Sequence, residues 1–99
     1  MDRRWDAAEA IVRRGENSDA MYVIADGSCE VRLPDGGTIS LEAGGHFGEI
    51  ALLLRQERTA DVVAGPAGAT VLRLPRASVA PILARRPEFR ELLRLLRPF

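Results

Sequence analysis

Short strand-length segments separated by turn signals constrain the fold of this chain more than any other feature. Each segment is apolar or alternates apolar and polar residues, and they occupy residues 10–13, 21–25, 29–33, 38–41, 60–64 and 69–74. Glycine, proline and aspartate interrupt them where turns are needed. Such spacing is typical of an all-β sandwich or barrel.

Several breaks carry specific turn predictions. The pair Asp26-Gly27 stands between two strand-like runs, which predicts a β-hairpin. The stretch 65–68, with a glycine at each end, predicts another turn between the last two runs. Residues 34–37 and the pair at 44–45 predict two more.

Helical patterns appear at two places. After Pro75 the period becomes helical, with one apolar face formed by Val79, Ile82 and Leu83. A second face follows Pro87, which suits a first helical turn, and it comprises Phe89, Leu92, Leu93 and Leu96. Residues 48–54 lack a turn signal after their glycine, so they predict a short helix inserted among the strands. The pattern therefore indicates a mainly β roll with C-terminal helices.

Length and composition limit the function. A chain of 99 residues that is 46% hydrophobic is enough for one compact domain. No apolar run approaches the roughly 20 residues of a membrane span, so we expect a cytoplasmic domain without membrane insertion. The chain contains one cysteine, Cys29, and one histidine, His46. One residue of each type is too few for a metal cage or an acid-base dyad, so the sequence does not favour an enzyme such as a cupin. Cys29 is predicted to be a small apolar strand residue, and His46 a partly exposed strand end.

Charge is unevenly distributed although the net charge is zero. Residues 1–49 contain ten acids and five arginines, whereas residues 50–99 contain nine arginines and four acids. An anionic partner is therefore expected in the second half. The arginines of the tail alternate with Glu88 and Glu91 opposite the leucine face, which indicates an amphipathic helix rather than a nucleic-acid surface.

The segment 47–60 combines groups that a ribose cyclic phosphate requires. Gly48 permits close backbone approach and begins the predicted helix, whose free N–H groups favour an anion. Donors to the phosphate would be the main-chain N–H groups of Gly48, Ile50 and Ala51. Glu49 is an acceptor for the ribose 2′-hydroxyl. Arg58 supplies a charged fork suited to phosphate oxygens, and Thr59 adds a hydroxyl.

These residues form a recognisable pattern, FGEIALL over residues 47–53 and RTA over residues 58–60. The pattern resembles the phosphate-binding cassette of the cyclic nucleotide-binding domain family. The likeness extends to the motif at residues 14–16 and to the stretch 19–27. One departure is Ala8, which stands where the family usually has a glycine before the second strand.

The resemblance implies an eight-stranded β-roll, or jelly roll, at about residues 3–75, with helices at about 76–97, in a single domain 1–99. It implies that Gly48, Glu49, Arg58 and Thr59 contact the ribose and phosphate, within a cassette that also includes Ile50, Ala51 and Ala60. It places a strand residue near Val31 at the wall of the purine site.

The same resemblance implies a non-catalytic regulatory domain with no cofactor beyond its ligand. That ligand is expected to be cyclic AMP, with cyclic GMP as the alternative. The C-terminal helices would relay binding to a parent protein such as a channel or transporter, at the cytoplasmic face of a membrane in those cases. They also offer a surface for a homodimer.

Two other interpretations stay open at the sequence level. Glu49 and Arg58 would form a buried ion pair in a degenerate roll that binds nothing. Alternatively, the domain is a ligand-free interaction module that uses the leucine face of Leu92, Leu93 and Leu96. Trp5 lies far from the cassette in sequence, so core or edge packing is expected for it.

Overall fold

A computed structural model describes residues 2–17, 19–48, 52 and 56–86. Within these residues, six strands are followed by one helix: β1 (Asp2–Trp5), β2 (Ala10–Val12), β3 (Ala20–Arg32), β4 (Thr38–Glu42), β5 (His46–Phe47), β6 (Asp61–Pro75) and α1 (Arg76–Ala84). The mainly β architecture with a C-terminal helix agrees with the predicted class. The described part of the chain has six of the eight expected strands, and the second predicted helix lies outside it.

All the strands belong to one antiparallel sheet. Its main order is β1-β6-β3-β4, with β2 beside β6 and β5 beside β3. The two long strands β3 and β6 pair along most of their length, from Ala20 opposite Pro75 to Arg32 opposite Asp61. These two strands therefore form the frame to which the short strands attach. Strand β1 lacked a sequence prediction.

The predicted hairpin at Asp26-Gly27 is wrong. Both residues lie inside the continuous strand β3, and the turn predicted at residues 65–68 likewise lies inside β6. The pairing register between these strands shifts between Ile24 and Asp26 and again between Gly27 and Cys29. The glycines thus mark β-bulges that bend two long strands, not chain reversals.

Close packing explains why glycine is needed at these bulges. Gly27 has φ +78° and Gly68 has φ +76°, in the left-handed region that favours glycine. A Cβ added to Gly27 would collide with the carbonyl oxygen of Gly68 and lie 3.0 Å from Cα of Ala69. A turn and a bulge make the same local demand for a left-handed residue, so the pairing partner decides which one forms.

The tight turns at residues 34–37 and 44–45 form as predicted. The Leu33 N–H donates to the Gly37 carbonyl over 2.8 Å and closes the β3–β4 connection. The Gly44 N–H donates to the Ile24 carbonyl over 2.8 Å, which attaches the β4–β5 turn to β3. Trp5 lies on the edge strand β1 and packs against the core, with the Arg3 guanidinium 3.8 Å from its ring centroid.

The apolar residues divide into two clusters. The inner cluster lies among the strands and comprises Ile11, Val12, Ile24, Cys29, Val31, Phe47, Ala60, Val62, Ala64, Ala69 and Val71. The outer cluster joins Met21, Leu52 and Val79, and therefore packs α1 against β3. Burial raises the pKa of Cys29 to about 11, which is consistent with its predicted role as an apolar strand residue.

Helix α1 follows the helical prediction only in part. Val79 is buried in the outer cluster as expected, but Ile82 is 60% exposed and belongs to neither cluster of the described residues. The Leu83 side chain lies outside the described residues. In the part of the chain that the structure covers, no helix is long and apolar enough to cross a membrane.

Ala8 adopts φ +65°, in the left-handed region that favours glycine. The left-handed region costs a non-glycine residue about 1–2 kcal/mol, and glycine removes this strain. Glycine also increases the conformational entropy of the unfolded chain, which lowers the stability by about 0.4–1 kcal/mol. We therefore expect Ala8→Gly to raise the free energy of unfolding by about 0.5–1 kcal/mol. Urea unfolding followed by circular dichroism measures this, and a loss of stability would contradict the assignment of strain to Ala8.

Candidate functional site

Arg58 is a charged residue inside the protein, with only 3% of its surface exposed. Its Nη1 donates to the Gly48 carbonyl over 3.1 Å, and its Nη2 donates to the Ala20 carbonyl over 2.6 Å. A guanidinium removed from water requires such partners, because burying an uncompensated charge is costly. The two carbonyls, one after β5 and one at the start of β3, therefore fix the direction of the guanidinium fork.

The backbone of Arg58 is held as firmly as its side chain. The Gly15 N–H donates to the Arg58 carbonyl, and the Arg58 N–H donates to the Glu16 carbonyl, each over 2.8 Å. Asn17 and Glu57 form an isolated β-bridge next to this pair. The loop between β2 and β3, which carries the motif at residues 14–16, is thus the backbone support of Arg58.

Gly48 stands at the junction of β5 and the cassette. Its φ of +91° suits glycine, and an added Cβ would collide with Nη1 of Arg58. The Leu52 N–H donates to the Gly48 carbonyl over 3.0 Å, the i to i−4 spacing of an α-helix, and Leu52 itself has helical backbone. At Leu52 the structure therefore agrees with the predicted inserted helix.

The remaining predicted site residues divide into two groups. Val31 and Ala60 are each 1% exposed and both belong to the inner cluster, while Thr59 is half-buried between Arg58 and Ala60 in sequence. The predictions for Glu49, Ile50 and Ala51 fall outside the described residues. The alternative, a buried ion pair between Glu49 and Arg58, also depends on Glu49 and so stays a prediction.

A pocket of about 510 Å³ lies next to the loop between β2 and β3. Its lining includes Arg58, Tyr22, Asp19 and Arg73. Asp19 accepts from Nη2 of Arg73 over 2.8 Å, in an exposed ion pair that carries little energy. Tyr22 was not among the predicted site residues, since a tyrosine inside a strand-like run carries no signal of a site.

Arg76 connects the cassette to α1. It is the first residue of the helix, its N–H donates to the Asp19 carbonyl over 2.9 Å, and its Nη1 donates to the Leu52 carbonyl. Leu52 is fully buried and packs with Val79 of the same helix. Leu52 is therefore joined to the C-terminal helix by a hydrogen bond and by apolar packing.

His46 is an exposed residue of β5, paired with Val23, in agreement with its predicted place at a strand end. No group of three metal-binding side chains occurs among residues 2–17, 19–48, 52 and 56–86.

The fold and the arginine-glycine pair define a class of protein. The family described as cyclic nucleotide-binding domain matches this chain over residues 2–86. The chain therefore belongs to the cyclic nucleotide-binding domain family. Its class is that of the regulatory domains found in kinase regulatory subunits and channels.

Individual relatives support the same assignment. A Rhodopseudomonas palustris protein, provisionally named as a potassium channel protein, is 42% identical over 88 residues, covering 86% of this chain and 21% of that protein. A cAMP-dependent protein kinase regulatory subunit of Colletotrichum orbiculare is 30% identical over 101 residues, covering 85% of this chain and 26% of the subunit.

A solved structure shares the fold closely. The EAL enzyme Bd1971, in a form bound to cAMP and cyclic-di-GMP, superposes with a TM-score of 0.83 at 25% identity, covering 98% of this chain and 28% of that one. The chain spans about a fifth to a quarter of the length of the two sequence relatives named above, the bacterial and the fungal protein.

Proposed function

We propose that this chain is a non-catalytic sensor domain that binds a cyclic nucleotide at residues 47–60. The observation that carries the proposal is the convergence of Gly48 and Arg58, ten residues apart, through a 3.1 Å hydrogen bond inside the protein. A buried guanidinium interacts strongly with a singly charged phosphate because little water screens it. A preset fork also loses little entropy when the ligand binds.

The groups around Arg58 complete the proposed site. The main-chain N–H groups of Gly48, Ile50 and Ala51 donate to the phosphate, as at the start of other helices. Glu49 accepts from the ribose 2′-hydroxyl, and the Thr59 hydroxyl adds a further polar contact. Ala60 belongs to the same cassette, and Val31, which lies in the inner cluster with it, is proposed for the wall of the purine site.

Cyclic AMP is the ligand that we propose first, with cyclic GMP as the alternative. The similar EAL enzyme is described as bound to cAMP, and the fungal relative is named as a cAMP-dependent kinase subunit. Both ligands share the ribose cyclic phosphate that residues 47–60 would recognise. The base is the only part that differs, so selectivity depends on groups outside this segment.

The proposed output is a relay through the C-terminal helix to an attached effector. A ligand changes the state of a domain only when it binds one arrangement more tightly than another. Leu52, packed on Val79 and bonded to Arg76, would transmit a movement of the cassette to α1. The parent is an effector such as a channel or transporter on the cytoplasmic side, and the C-terminal helices supply a homodimer contact.

The test is a titration of the purified chain with cyclic AMP, cyclic GMP and 5′-AMP, followed by calorimetry and thermal unfolding. We expect at least one cyclic nucleotide to bind and to raise the melting temperature, because a ligand that binds only the folded state stabilises it. The open-chain 5′-AMP is expected to bind far more weakly. No response to either cyclic nucleotide at millimolar concentration would contradict the proposal and favour the ligand-free interaction module.

Glu49→Ala is expected to weaken cyclic AMP binding by about 10- to 100-fold, since a hydrogen bond to a charged group contributes about 1.5–3 kcal/mol. The 2′-deoxy form of cyclic AMP should show a similar loss with the wild-type chain and no further loss with the variant. Glu42→Ala, at an exposed site on β4, is the matched control. Equal discrimination of the two ligands by both chains would show that Glu49 does not bind the 2′-hydroxyl.

A further inference from the structure

Two aromatic rings join β3 to β5 beside the candidate site. Tyr22 of β3 lies opposite Phe47 of β5 in the strand register, and their rings stack with centroids 5.0 Å apart and planes 15° apart. Strand β5 has only two residues, so few backbone hydrogen bonds hold it to β3. The ring pair is therefore a substantial part of the attachment between these strands.

The same two strands carry the acceptors of Arg58. Ala20, whose carbonyl accepts from Nη2, lies two residues before Tyr22 and on the same face of β3. Gly48, whose carbonyl accepts from Nη1, directly follows Phe47. The distance between the two carbonyls thus depends on how closely the ring pair holds β5 against β3.

Tyr22 also contacts the guanidinium itself. Cζ of Arg58 lies 5.8 Å from the centroid of the Tyr22 ring, within the range of a cation–π interaction. Both side chains line the pocket of about 510 Å³ next to the loop between β2 and β3. The ring is half-buried and lies beside the guanidinium at the edge of this pocket.

We propose that Tyr22 is a positioning residue for Arg58: its ring, stacked on Phe47, keeps the guanidinium directed at the phosphate of the bound nucleotide. This inference rests on the proposed function. The aromatic ring is the active part of the side chain in this role, so phenylalanine can replace tyrosine, whereas leucine, which has similar apolar character but no ring, cannot.

The test compares Tyr22→Phe with Tyr22→Leu, using whichever of cyclic AMP and cyclic GMP binds the wild-type chain more tightly. We expect Tyr22→Phe to bind within about twofold of wild type and Tyr22→Leu to bind about 5- to 20-fold more weakly. Trp5→Leu, which also removes a ring packed on the inner cluster, is the control for general loss of packing. It should lower the melting temperature without this loss of affinity.

A double-mutant cycle separates positioning from direct contact with the ligand. In an Arg58→Gln background, Tyr22→Leu should weaken binding by less than about twofold, because the group that it positions is absent. An equal penalty in both backgrounds, or wild-type affinity for Tyr22→Leu, would overturn the inference. Failure of the wild-type chain to bind either nucleotide would instead contradict the proposed function.

A second measurement needs no ligand. The ¹⁵N-labelled Arg58 side chain, identified by the signal that disappears in Arg58→Gln, lies close enough to the Tyr22 ring to feel its ring current. We expect its Nε–Hε resonance to keep its position in Tyr22→Phe and to shift and broaden in Tyr22→Leu. An unchanged resonance in the folded leucine variant would show that the ring does not restrain Arg58.

Discussion

Arg58→Gln is expected to reduce the affinity for cyclic nucleotide by about 10- to 150-fold, because at least one charge-assisted pair with the phosphate is lost and such bonds contribute about 1.5–3 kcal/mol each. Glutamine is uncharged and cannot present the planar fork. The variant should also unfold more easily, by about 1–3 kcal/mol, since the Gly48 and Ala20 carbonyls each lose a buried hydrogen bond from the guanidinium. Calorimetric titration well below the measured melting temperature separates the two effects.

Two further variants sharpen this result. Arg58→Lys keeps the charge but cannot reach two carbonyls and a phosphate in one plane, so its affinity should stay closer to that of Arg58→Gln than to wild type. Arg32→Gln makes the same change of charge at an exposed site, where Arg32 pairs with Glu30 of its own strand, and should leave binding unchanged. Wild-type affinity in a folded Arg58→Gln chain would contradict the assignment of this residue to the phosphate.

Gly48→Ala is expected to impair both folding and binding, although it adds a single methyl group. At φ +91° an alanine is strained by about 1–2 kcal/mol. Its Cβ would also collide with Nη1 of Arg58 and lie 3.2 Å from Cζ. The guanidinium must then leave its place, so cyclic nucleotide affinity should fall by about tenfold or more, in line with an overpacking cost of about 1–3 kcal/mol.

Gly36→Ala is the control for the backbone strain alone. Gly36 has φ +93° in the β3–β4 turn, and a Cβ there would meet nothing within 4 Å. Both alanine variants should lose similar stability from their backbone conformation, but only Gly48→Ala should lose further stability and affinity. Equal effects of the two substitutions on unfolding and binding would show that contact with Arg58 is unimportant.

The sequence was most informative where a residue's role is set by its own chemistry and its neighbours along the chain. Gly48 and Arg58 were selected as an anion site, and the structure brings them within hydrogen-bonding distance. The turns at residues 34–37 and 44–45 also formed where glycine and proline predicted them. The predicted roles of Glu49, Ile50 and Ala51 stay predictions, since these residues lie outside the described part of the chain.

Local pattern was misleading where two structures make the same demand on one residue. Asp26-Gly27 suits a hairpin and a β-bulge equally, because each needs a residue with positive φ. Gly27 became a bulge because β3 pairs with β6 past this point and the Gly68 carbonyl occupies the space of a side chain. Ile82, predicted to share an apolar face with Val79, is 60% exposed, because among the described residues the outer cluster packs on Val79 and does not reach Ile82.

By itself the sequence determined the class of fold and the family and predicted a set of phosphate-binding groups, since these depend on residue chemistry and on spacing along the chain. Only the tertiary structure decided how Arg58 is held, because its supports come from segments distant in sequence. The Ala20 carbonyl, the backbone of Gly15 and the ring of Tyr22 meet it only when β2, β3 and the cassette pack together. Contacts between distant segments produce no periodic pattern in the sequence of any one segment. Only the folded chain therefore shows which residues support Arg58.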